Sequence, residues 1–243
     1  EGYVWECDPF GVEPAIRRDA LGVFKHEAAA VDPDTGIIYM TEDEGDGGFY
    51  RFVPNSVDSN GVPDLNSGVL EIATVDPVDD SVSWNPVPDP SASTIGPTRD
   101  QVAIATSFAR GEGIAYANGV ISFATTTDNR IWSYDIATNI LSIVYDRATS
   151  SMPILGGVDN IGVSLDGELI IAEDGDDLQI VAITASGRLV PLIQLVGHDG
   201  SEVTGPAFSP DGQRLYFSSQ RGTTGSSNDG QTFEITGPFH SVS

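Results

Sequence analysis

The sequence predicts an all-β protein, and specifically a β-propeller built from four-stranded blades. Short runs of β-branched and aromatic residues alternate with turns rich in Gly, Asn and Asp, while helical periodicity is nearly absent. Turn glycines recur at Gly119, Gly167 and Gly212, at spacings of 48 and 45 residues, which is about the length of one blade. The 83 residues that separate Gly36 from Gly119 correspond to one blade plus an insertion.

The first half of the chain alternates strand and turn signals. A strand or connecting loop is favoured over a helix at residues 15–24, because Gly22 interrupts that segment. A Pro/Asp-rich insertion is expected within residues 54–107, since residues 54–67 have the composition of a surface loop and residues 76–100 carry five prolines. Strands are predicted at residues 2–6, 27–31, 37–43, 47–53, 68–75 and, as an edge strand, 82–87.

The second half repeats the strand-turn-strand pattern. Asn118-Gly119 between two apolar runs is a strong hairpin signal. Four blades are visible, with the edge of another, so residues 1–243 are predicted to form a single propeller domain. Six such blades would need a longer chain, and we expect an N-terminal part of the pattern to be missing. Further strands are predicted before Ala117, at 120–126, 130–134 and 140–145, after 158–160, and at 169–172 and 215–217.

The chain is strongly acidic, with 36 Asp and Glu residues against 11 Lys and Arg residues and a formal net charge of −25. Such a chain is repelled by nucleic acids and by anionic membrane surfaces, so both are excluded as partners. Most of the acids are interpreted as an aid to solubility or an adaptation to salt. A few are interpreted as ligands for a hard cation such as Ca²⁺.

Several other arrangements are excluded by composition. The single Cys7 rules out an internal disulfide framework and a Cys-rich metal motif. No apolar run reaches the roughly 18 residues of a membrane span, so no membrane insertion is expected. No signal peptide is visible, and the chain is interpreted as mature or as lacking its beginning. A monomer is expected.

The hairpin at residues 25–46 carries acids at both ends. Glu27 begins its first strand, and Glu42 and Asp43 end its second strand. The two hairpin ends opposite a turn lie side by side, so these carboxylates are expected to lie together at one edge of the sheet. Crowded carboxylates repel one another unless a hard cation joins them.

Weaker copies of this pattern appear when the repeats are aligned on the turn glycine. Glu112 and Asn160 stand seven residues before it, and Glu27 stands nine before it because its turn is longer. Glu173-Asp174 repeats the place of Glu42-Asp43. Equivalent positions of successive propeller blades form a ring, so we expect Glu27, Glu112 and Asn160 to face one another. Such oxygen ligands suit calcium, or iron(III) where carboxylates dominate.

The acids differ in how well their sequence context supports a role as metal ligands. Glu27 and Glu112 are the strongest, because each opens an apolar strand where an acid has no role in a turn. Asp159, Glu173 and Asp174 are weaker candidates. The acids beside turn glycines are interpreted as turn formers, and they are Asp32, Asp34, Asp166 and Asp211.

Two basic residues adjoin these acids. His26 is interpreted as a hydrogen-bonded support rather than as a ligand. Arg110 lies two residues before Glu112, so both side chains would point to the same side of an extended strand. We predict that the Arg110 guanidinium binds an anionic substrate such as phosphate. The alternative is a salt bridge between Arg110 and Glu112.

Four segments together resemble the PhoX-type alkaline phosphatases. They are FKHEAAAVDPDTGIIYMTEDEGDGGFYRFVP at residues 24–54, FARGEGIAY at 108–116, GVDNIGVSLDGELIIAEDG at 157–175 and GPAFSPDGQRLYFSSQRG at 205–222. The resemblance covers nearly the whole chain in order. Its first segment is the most specific, whereas SPDG alone occurs in many unrelated propellers.

The resemblance implies a six-bladed phosphatase that is secreted, periplasmic or on the cell surface. It implies hydrolysis of small phosphate monoesters by a cluster of iron and calcium. Glu27 and Glu112 would be cluster ligands, Asp159 would be a further calcium ligand, and Arg110 would be the catalytic residue that holds the substrate phosphate. Further ligands, or residues that support ligands, would be Glu42, Asp43, Glu173 and Asp174.

The chain also departs from that family. Relatives carry an upstream segment whose Trp-Gly-x-Trp and Cys-Glu-Glu motifs supply iron ligands, and this sequence begins after it. Cys7 is interpreted as a buried structural thiol rather than as that ligand. We therefore expect this chain alone to bind metal weakly or to be inactive, with the activity residing in a longer parent protein.

Two other functions fit the same residues. A calcium-dependent, lactonase-like propeller hydrolase also gathers Glu, Asn and Asp side chains in one place, and it would not need Arg110. A non-catalytic binding platform would need only the acidic surface and the Pro-rich insertion.

Overall fold

The structure, a computed structural model, describes residues 2–237 and Phe239. Over these residues it contains eighteen strands and two short 3-10 helices, Asp19–Leu21 and Thr98–Asp100. Neither helix of this described part is long and apolar enough to cross a membrane. The prediction of an all-β chain is confirmed.

Strands that are neighbours in sequence pair with each other in antiparallel sheets. The sheets in the described part of the chain contain β1–β2, β3–β7, β8–β11, β12–β15 and β16–β18. In chain order the strands are β1 (Trp5–Glu6), β2 (Ile16–Arg17), β3 (His26–Val31), β4 (Ile38–Glu42), β5 (Phe49–Pro54), β6 (Gly68–Val75), β7 (Val82–Pro86), β8 (Gly111–Ala117), β9 (Val120–Thr125), β10 (Arg130–Asp135), β11 (Ile140–Asp146), β12 (Val158–Val163), β13 (Leu169–Glu173), β14 (Gln179–Ile183), β15 (Leu189–Gln194), β16 (Val203–Phe208), β17 (Arg214–Ser219) and β18 (Gln231–Thr236).

The predicted register glycines all occupy turns that require them. Gly36, Gly119, Gly167 and Gly212 have φ angles of 73°, 82°, 81° and 66°. A residue with a Cβ rarely adopts this left-handed region, whereas glycine does so without steric cost. Each of these turns joins the first two strands of a sheet, which is why the glycines recur at the length of one four-stranded unit.

Two of the predicted turn acids, Asp32 and Asp211, are hydrogen-bonded within their turns, as their sequence context predicts. Asp32 accepts hydrogen bonds from the Asp34 amide at 3.1 Å and the Thr35 hydroxyl at 2.6 Å. Asp211 accepts hydrogen bonds from the Ser209 hydroxyl at 2.6 Å and the Gln213 amide at 3.1 Å. Each of these two carboxylates is hydrogen-bonded within its own turn and stabilises that turn.

The chain divides into two compact units, and the turn between β10 and β11 groups with the first of them. The first unit comprises Glu1–Gly111 and Asp135–Leu141, and the second comprises Glu112–Tyr134 and Ser142–Ser243. The core of the first unit includes Phe24, Met40, Tyr50, Phe52 and Leu70, all nearly inaccessible to solvent.

The second unit has two neighbouring apolar clusters. One contains Ile131, Tyr145, Ile171 and Val181, and it packs β10, β11, β13 and β14 together. The other contains Ile180, Leu215 and Phe217, and it joins β14 to β17. The first cluster also contains Val158 of β12, and the second contains Val203 of β16, so both lie next to strands that carry candidate site residues.

The Pro-rich insertion is partly ordered by pairing and by its own helix. β7 pairs over its whole length with the second part of β6, from Glu71 to Val75, which confirms the predicted edge strand at 82–87. Val87 lies in the core of the first unit. Thr98 and Arg99, in the second short helix, contact the strand ends described below.

Two details of the N-terminal region differ from expectation. The predicted strand at residues 2–6 is shortened to β1, because only Trp5 and Glu6 pair with β2. Cys7 is exposed, so the interpretation of a buried thiol is wrong. A turn that follows β1 at Asp8 keeps the neighbouring residues at the surface, since the Asp8 carboxylate accepts three backbone amides of that turn.

Candidate functional site

The acid-ended hairpin forms as predicted, with its two ends side by side. His26 of β3 is paired with Glu42 of β4, and the Asp43 amide donates to the Lys25 carbonyl at 3.0 Å. The acids at these ends nevertheless lie in very different surroundings.

Glu42 is fully buried and hydrogen-bonded through both carboxylate oxygens. Its Oε2 accepts the Gly48 amide at 2.9 Å and the Tyr50 hydroxyl at 2.8 Å. Its Oε1 accepts Nη1 of Arg99 at 2.9 Å. Glu42 therefore fastens β5 and the insertion helix to the end of β4, and its predicted role as a metal ligand stays a prediction.

Asp43 lies beside Arg110, and the two side chains form an ion pair of 2.6 Å. The Arg110 side chain is 48% exposed, which leaves its guanidinium accessible to a ligand. Its amide donates to the Glu44 carbonyl at 2.8 Å, so the backbone of Arg110 is tied to the same acidic segment.

The assumption that Arg110 belongs to an extended strand is wrong. Its φ is +59°, in the left-handed region, and β8 begins one residue later at Gly111. The expected same-side relation between Arg110 and Glu112 therefore does not follow from strand alternation. A left-handed conformation is uncommon for a non-glycine residue and is found more often at functional positions.

Glu27 shares its surroundings with this ion pair. Partial removal from solvent raises the pKa of Glu27, the nearby Asp43 charge raises it further, and the Arg110 charge lowers it. The effects of Asp43 and Arg110 place Glu27 close to both within the first unit.

His26 is a support, in agreement with its interpretation from sequence. Its Nε2 donates to the Gly22 carbonyl at 3.1 Å, and its ring lies on the Phe24 ring with the centroids 3.5 Å apart. Burial lowers the pKa of His26 to about 4, so the ring is neutral at neutral pH.

Strand register identifies the equivalent positions more reliably than glycine counting. The first residue of β3, β12 and β16 pairs with the last residue of the next strand, in the pairs His26 with Glu42, Val158 with Glu173 and Val203 with Ser219. The residue after each first residue is then Glu27, Asp159 or Thr204. The prediction that placed Asn160 in the same column as Glu27 is corrected to Asp159.

The same irregularity follows this position in all three sheets. The register shifts between His26 and Ala29, between Val158 and Ile161, and between Thr204 and Ala207. Each shift places one extra residue on the first strand, which is a β-bulge. Bulges re-aim side chains and are frequent next to active sites. Counting back from the turn glycine misplaces this position because the turns differ in length: Glu27 lies nine residues before Gly36, whereas Asp159 lies eight residues before Gly167.

Two of the predicted ligands come together in the second unit. Glu112, the second residue of β8, and Asp159, the second residue of β12, have carboxylate oxygens within 4.8 Å of each other. They are only 5% and 8% exposed. A Cβ on Gly113 would lie 2.6 Å from the Asp159 carbonyl oxygen, so the absence of a side chain there lets β8 approach β12 closely.

Asp159 belongs to a second group of acids in the same unit. Carboxylate oxygens of Asp159, Asp174 and Glu202 lie within 4.8 Å of one another. Glu202 is 8% exposed and forms an ion pair of 3.0 Å with Arg221. Asp159 thus lies beside three other acids of this unit, Glu112, Asp174 and Glu202. We call these four residues the carboxylate group.

Glu202 is the member of this group that sequence reasoning missed. It directly precedes the apolar start of β16, where an acid has no role in a turn. The same criterion selected Glu27 and Glu112, but alignment on Gly212 drew attention to Gly205 instead.

Glu173 lies next to the carboxylate group in sequence but faces other partners. Its oxygens accept the amides of Gly156 and Gln179, both at 2.8 Å. Burial, with a contribution from the nearby Asp177, raises the pKa of Glu173 to about 7. Oxygens of Glu173, Asp176 and Asp177 lie within 4.8 Å of one another, while Asp176 is paired with Arg147 at 2.7 Å. A metal-binding role for Glu173 stays a prediction.

Fold and site together define the class of the protein. It is an all-β, propeller-type chain in which carboxylates gather at the beginnings of the first strands of successive sheets. A sequence model of the family described as alkaline phosphatase PhoX matches residues 1–153 and 141–222. The chain belongs to this family.

Solved structures agree with that assignment. The structure of Pseudomonas fluorescens PhoX in complex with vanadate, a transition state analogue, is 22% identical, with a TM-score of 0.78. The match covers 97% of this chain and 57% of that chain, so this chain spans little more than half the length of that relative. The shared fold confirms the prediction of a propeller with four-stranded blades.

Weaker structural matches extend to other proteins. A luciferin-regenerating enzyme is 18% identical with a TM-score of 0.45, and the match covers 90% of this chain and 93% of that chain. Regucalcin, a calcium-binding protein from Agrobacterium tumefaciens, is 16% identical with a TM-score of 0.41, over 88% of this chain and 90% of that chain. No curated protein sequence matches the chain.

Proposed function

We propose that this chain is the catalytic part of a metal-dependent phosphatase that hydrolyses phosphate monoesters. The observation that carries the proposal is the convergence of Glu112 and Asp159 in a chain of the alkaline phosphatase PhoX family. The vanadate bound to the related Pseudomonas protein, as a transition state analogue, supports phosphate ester chemistry at the same fold. As in the family that the sequence resembles, we place the protein outside the cytoplasm.

The carboxylate group fits a hard cation. Glu112, Asp159 and Glu202 are nearly buried, and burying several carboxylates together is costly unless positive charge compensates them. Their donor atoms are all oxygens, the ligands that Ca²⁺ takes in proteins. Iron(III) also accepts carboxylates.

Within this proposal Glu112 and Asp159 hold calcium or iron, and Asp174 and Glu202 complete the oxygen donor set. The bound cation supplies Lewis acidity and neutralises charge that develops on the phosphate oxygens. Asp159 is held by its neighbour, since Nδ2 of Asn160 donates to its Oδ1 at 2.7 Å and Oδ1 of Asn160 accepts the Gly205 amide at 2.7 Å. Asn160 thus ties Asp159 to β16.

Arg110 binds the phosphate group of the substrate. A guanidinium matches the geometry of phosphate oxygens and carries its charge at every relevant pH. In the free protein Asp43 occupies this guanidinium, so a phosphate competes with Asp43 and gains an arginine that is already oriented. Glu27, whose pKa is raised, stays the predicted ligand contributed by β3.

The test is turnover of p-nitrophenyl phosphate by the purified chain, and by a longer protein that contains it, with added Ca²⁺ and Fe³⁺ in the presence and absence of a chelator. We expect chelation to abolish turnover and Glu112→Gln to lower kcat/KM by roughly 10- to 100-fold, because an oxygen donor is lost from the cation site. Glu234→Gln, an acid on the outer strand β18 with an exposed arginine partner, is the matched control and should leave turnover unchanged.

Two outcomes contradict the proposal. Turnover that survives both chelation and Glu112→Gln would show that the carboxylate group is not the metal site. Hydrolysis of a lactone instead of the phosphate ester, unchanged by Arg110→Ala, would assign the chain to the lactonase-like class. If the purified chain shows no turnover, the proposal still requires that it bind inorganic phosphate and that this binding depend on Ca²⁺ and on Arg110.

A further inference from the structure

The last residue of the second strand has the same task in three of the sheets. Glu42, Thr125 and Glu173 end β4, β9 and β13, and all three are fully buried. Glu42 and Glu173 accept backbone amides of neighbouring segments, as described above. Thr125 uses its hydroxyl to accept Nε1 of Trp132 at 2.9 Å and to contact Asp128 at 2.5 Å. We call this position the strand-end anchor.

The fourth sheet has a serine at the strand-end anchor, and a serine cannot reach as far as Glu42 or Glu173. Ser219 ends β17 and is fully buried. Its hydroxyl lies 2.8 Å from Nδ1 of His198 and 2.8 Å from the Ser201 hydroxyl. His198 and Ser201 are themselves 8% and 3% exposed. A buried chain of three side chains therefore takes the place of the single long Glu side chain that ends β4 and β13.

A backbone amide lies at one end of this chain of hydrogen bonds. The Arg221 amide donates to the Ser201 hydroxyl at 2.8 Å. In one arrangement that these contacts allow, the Ser201 hydroxyl donates to Ser219 and the Ser219 hydroxyl donates to Nδ1 of His198. This order satisfies every short contact of the two hydroxyls. Bonds that point in one direction along such a chain strengthen one another.

This chain of hydrogen bonds ends beside the carboxylate group. Ser201 precedes Glu202 in sequence, and the residue whose amide Ser201 accepts is Arg221, the ion-pair partner of Glu202. The Glu202 carbonyl also accepts the Gln220 amide at 3.0 Å. His198, Ser201 and Ser219 thus fix the backbone on both sides of the pair formed by Glu202 and Arg221.

We propose that His198 is a positioning residue that, through Ser219 and Ser201, holds Glu202 and Arg221 in the geometry needed to bind a divalent cation at the carboxylate group. The inference rests on the proposed function, because it assumes that this group is a cation site. Side chains that orient ligands from behind typically contribute 10- to 100-fold to metal affinity. His198 itself contacts neither substrate nor cation in this scheme.

The experiment measures the dissociation constant of Ca²⁺ by calorimetry, and the urea midpoint, for the full chain and its variants. His198→Ala should weaken Ca²⁺ binding about tenfold. His198→Asn, which can place an amide group where Nδ1 lies, should restore affinity to within about threefold of the wild type. Thr125→Val is the matched control: it removes the strand-end anchor of another sheet, so it should lower the urea midpoint while leaving Ca²⁺ affinity unchanged.

Glu202→Gln separates failure of the inference from failure of the proposed function. If Glu202→Gln weakens Ca²⁺ binding while His198→Ala does not, the positioning role is overturned and the cation site stands. If Glu202→Gln binds Ca²⁺ as the wild type does, Glu202 is not a ligand. Both the positioning role of His198 and the assignment of Glu202 to the cation site are then overturned. Should His198→Ala not fold, Ser219→Ala breaks the same chain of hydrogen bonds and must show the tenfold loss.

Discussion

Glu42 and Asp43 are adjacent in sequence and have opposite environments. Glu42 is buried and accepts three hydrogen bonds, whereas Asp43 forms one ion pair with a half-exposed arginine. An acid whose lone pairs are already satisfied by hydrogen bonds from neighbouring segments stabilises the fold. An acid whose partner is an exposed cation can exchange that partner for a ligand. At the residue scale, the partner rather than the residue type separates structural acids from functional ones.

His26 leads to a prediction about pH. Its pKa is lowered to about 4 in the folded protein from an ordinary value of 6.5, so the unfolded chain binds the proton more tightly. Stability is therefore lost as the pH falls below 6.5, and the loss levels off below about 4. Between pH 7 and pH 5 we expect the free energy of unfolding to fall by about 1–2 kcal/mol more in the wild type than in His26→Gln.

Urea unfolding of both proteins at the two pH values measures this difference. Glutamine can keep the hydrogen bond to the Gly22 carbonyl but cannot titrate, so other acids contribute equally to both curves. An equal loss of stability in the two proteins would show that His26 is not buried in its neutral form.

At the scale of elements, the sequence predicted most strands and the turns between them. β6 and β7 lie where expected, and so do the strands around Gly36 and Asn118-Gly119. These signals are local, because β-branched runs and left-handed glycines act within a few residues. β14, β15 and β18 received no individual prediction. The bulges that follow Glu27 and Asp159 were missed because a bulge depends on pairing with another strand.

Substitution of Gly113 tests whether the close approach of β8 to β12 is needed to assemble the carboxylate group. A Cβ at this position would lie 2.6 Å from the Asp159 carbonyl oxygen and 2.6 Å from the Ile161 amide nitrogen, and backbone atoms cannot move aside cheaply. Gly113→Ala should lower the free energy of unfolding by about 1–3 kcal/mol and weaken Ca²⁺ binding by separating Glu112 from Asp159.

Gly45→Ala is the matched control for this substitution. Nothing lies within 4 Å of a Cβ built on Gly45, and its φ is not left-handed, so its effect should stay within about 0.5 kcal/mol. Denaturant unfolding and Ca²⁺ calorimetry provide the two measurements. Equal effects of the two substitutions would contradict the role assigned to close strand approach.

At the scale of the whole molecule, the charge of −25 opposes compaction, and bound cations relieve that repulsion. A ligand that binds only the folded state stabilises it by mass action, by about 2.7 kcal/mol at a concentration of 100 Kd. For a chain of this length Ca²⁺ should then raise the melting temperature by about 5–10 °C.

The measurement compares CaCl₂ with NaCl at equal ionic strength, so that general screening is the same in both. Asp159→Asn should remove most of the additional rise in melting temperature, because Asp159 lies close to Glu112 and also to Asp174 and Glu202. A shift that is identical in NaCl, or unchanged in Asp159→Asn, would indicate screening of surface charge instead of a specific site.

The sequence by itself determined the class of the protein. Local patterns predicted an all-β chain with four-stranded repeats, the family motifs predicted the phosphatase relation, and an acid opening an apolar strand marked Glu27 and Glu112. Tertiary structure alone decided which acids meet. Asp159 replaced Asn160 in the equivalent column, Glu202 joined the carboxylate group, and Glu42 and Glu173 proved to be hydrogen-bonded anchors. The reason is physical: turns and strands depend on neighbouring residues, whereas burial, bulges and carboxylate partners depend on strands that are distant in sequence.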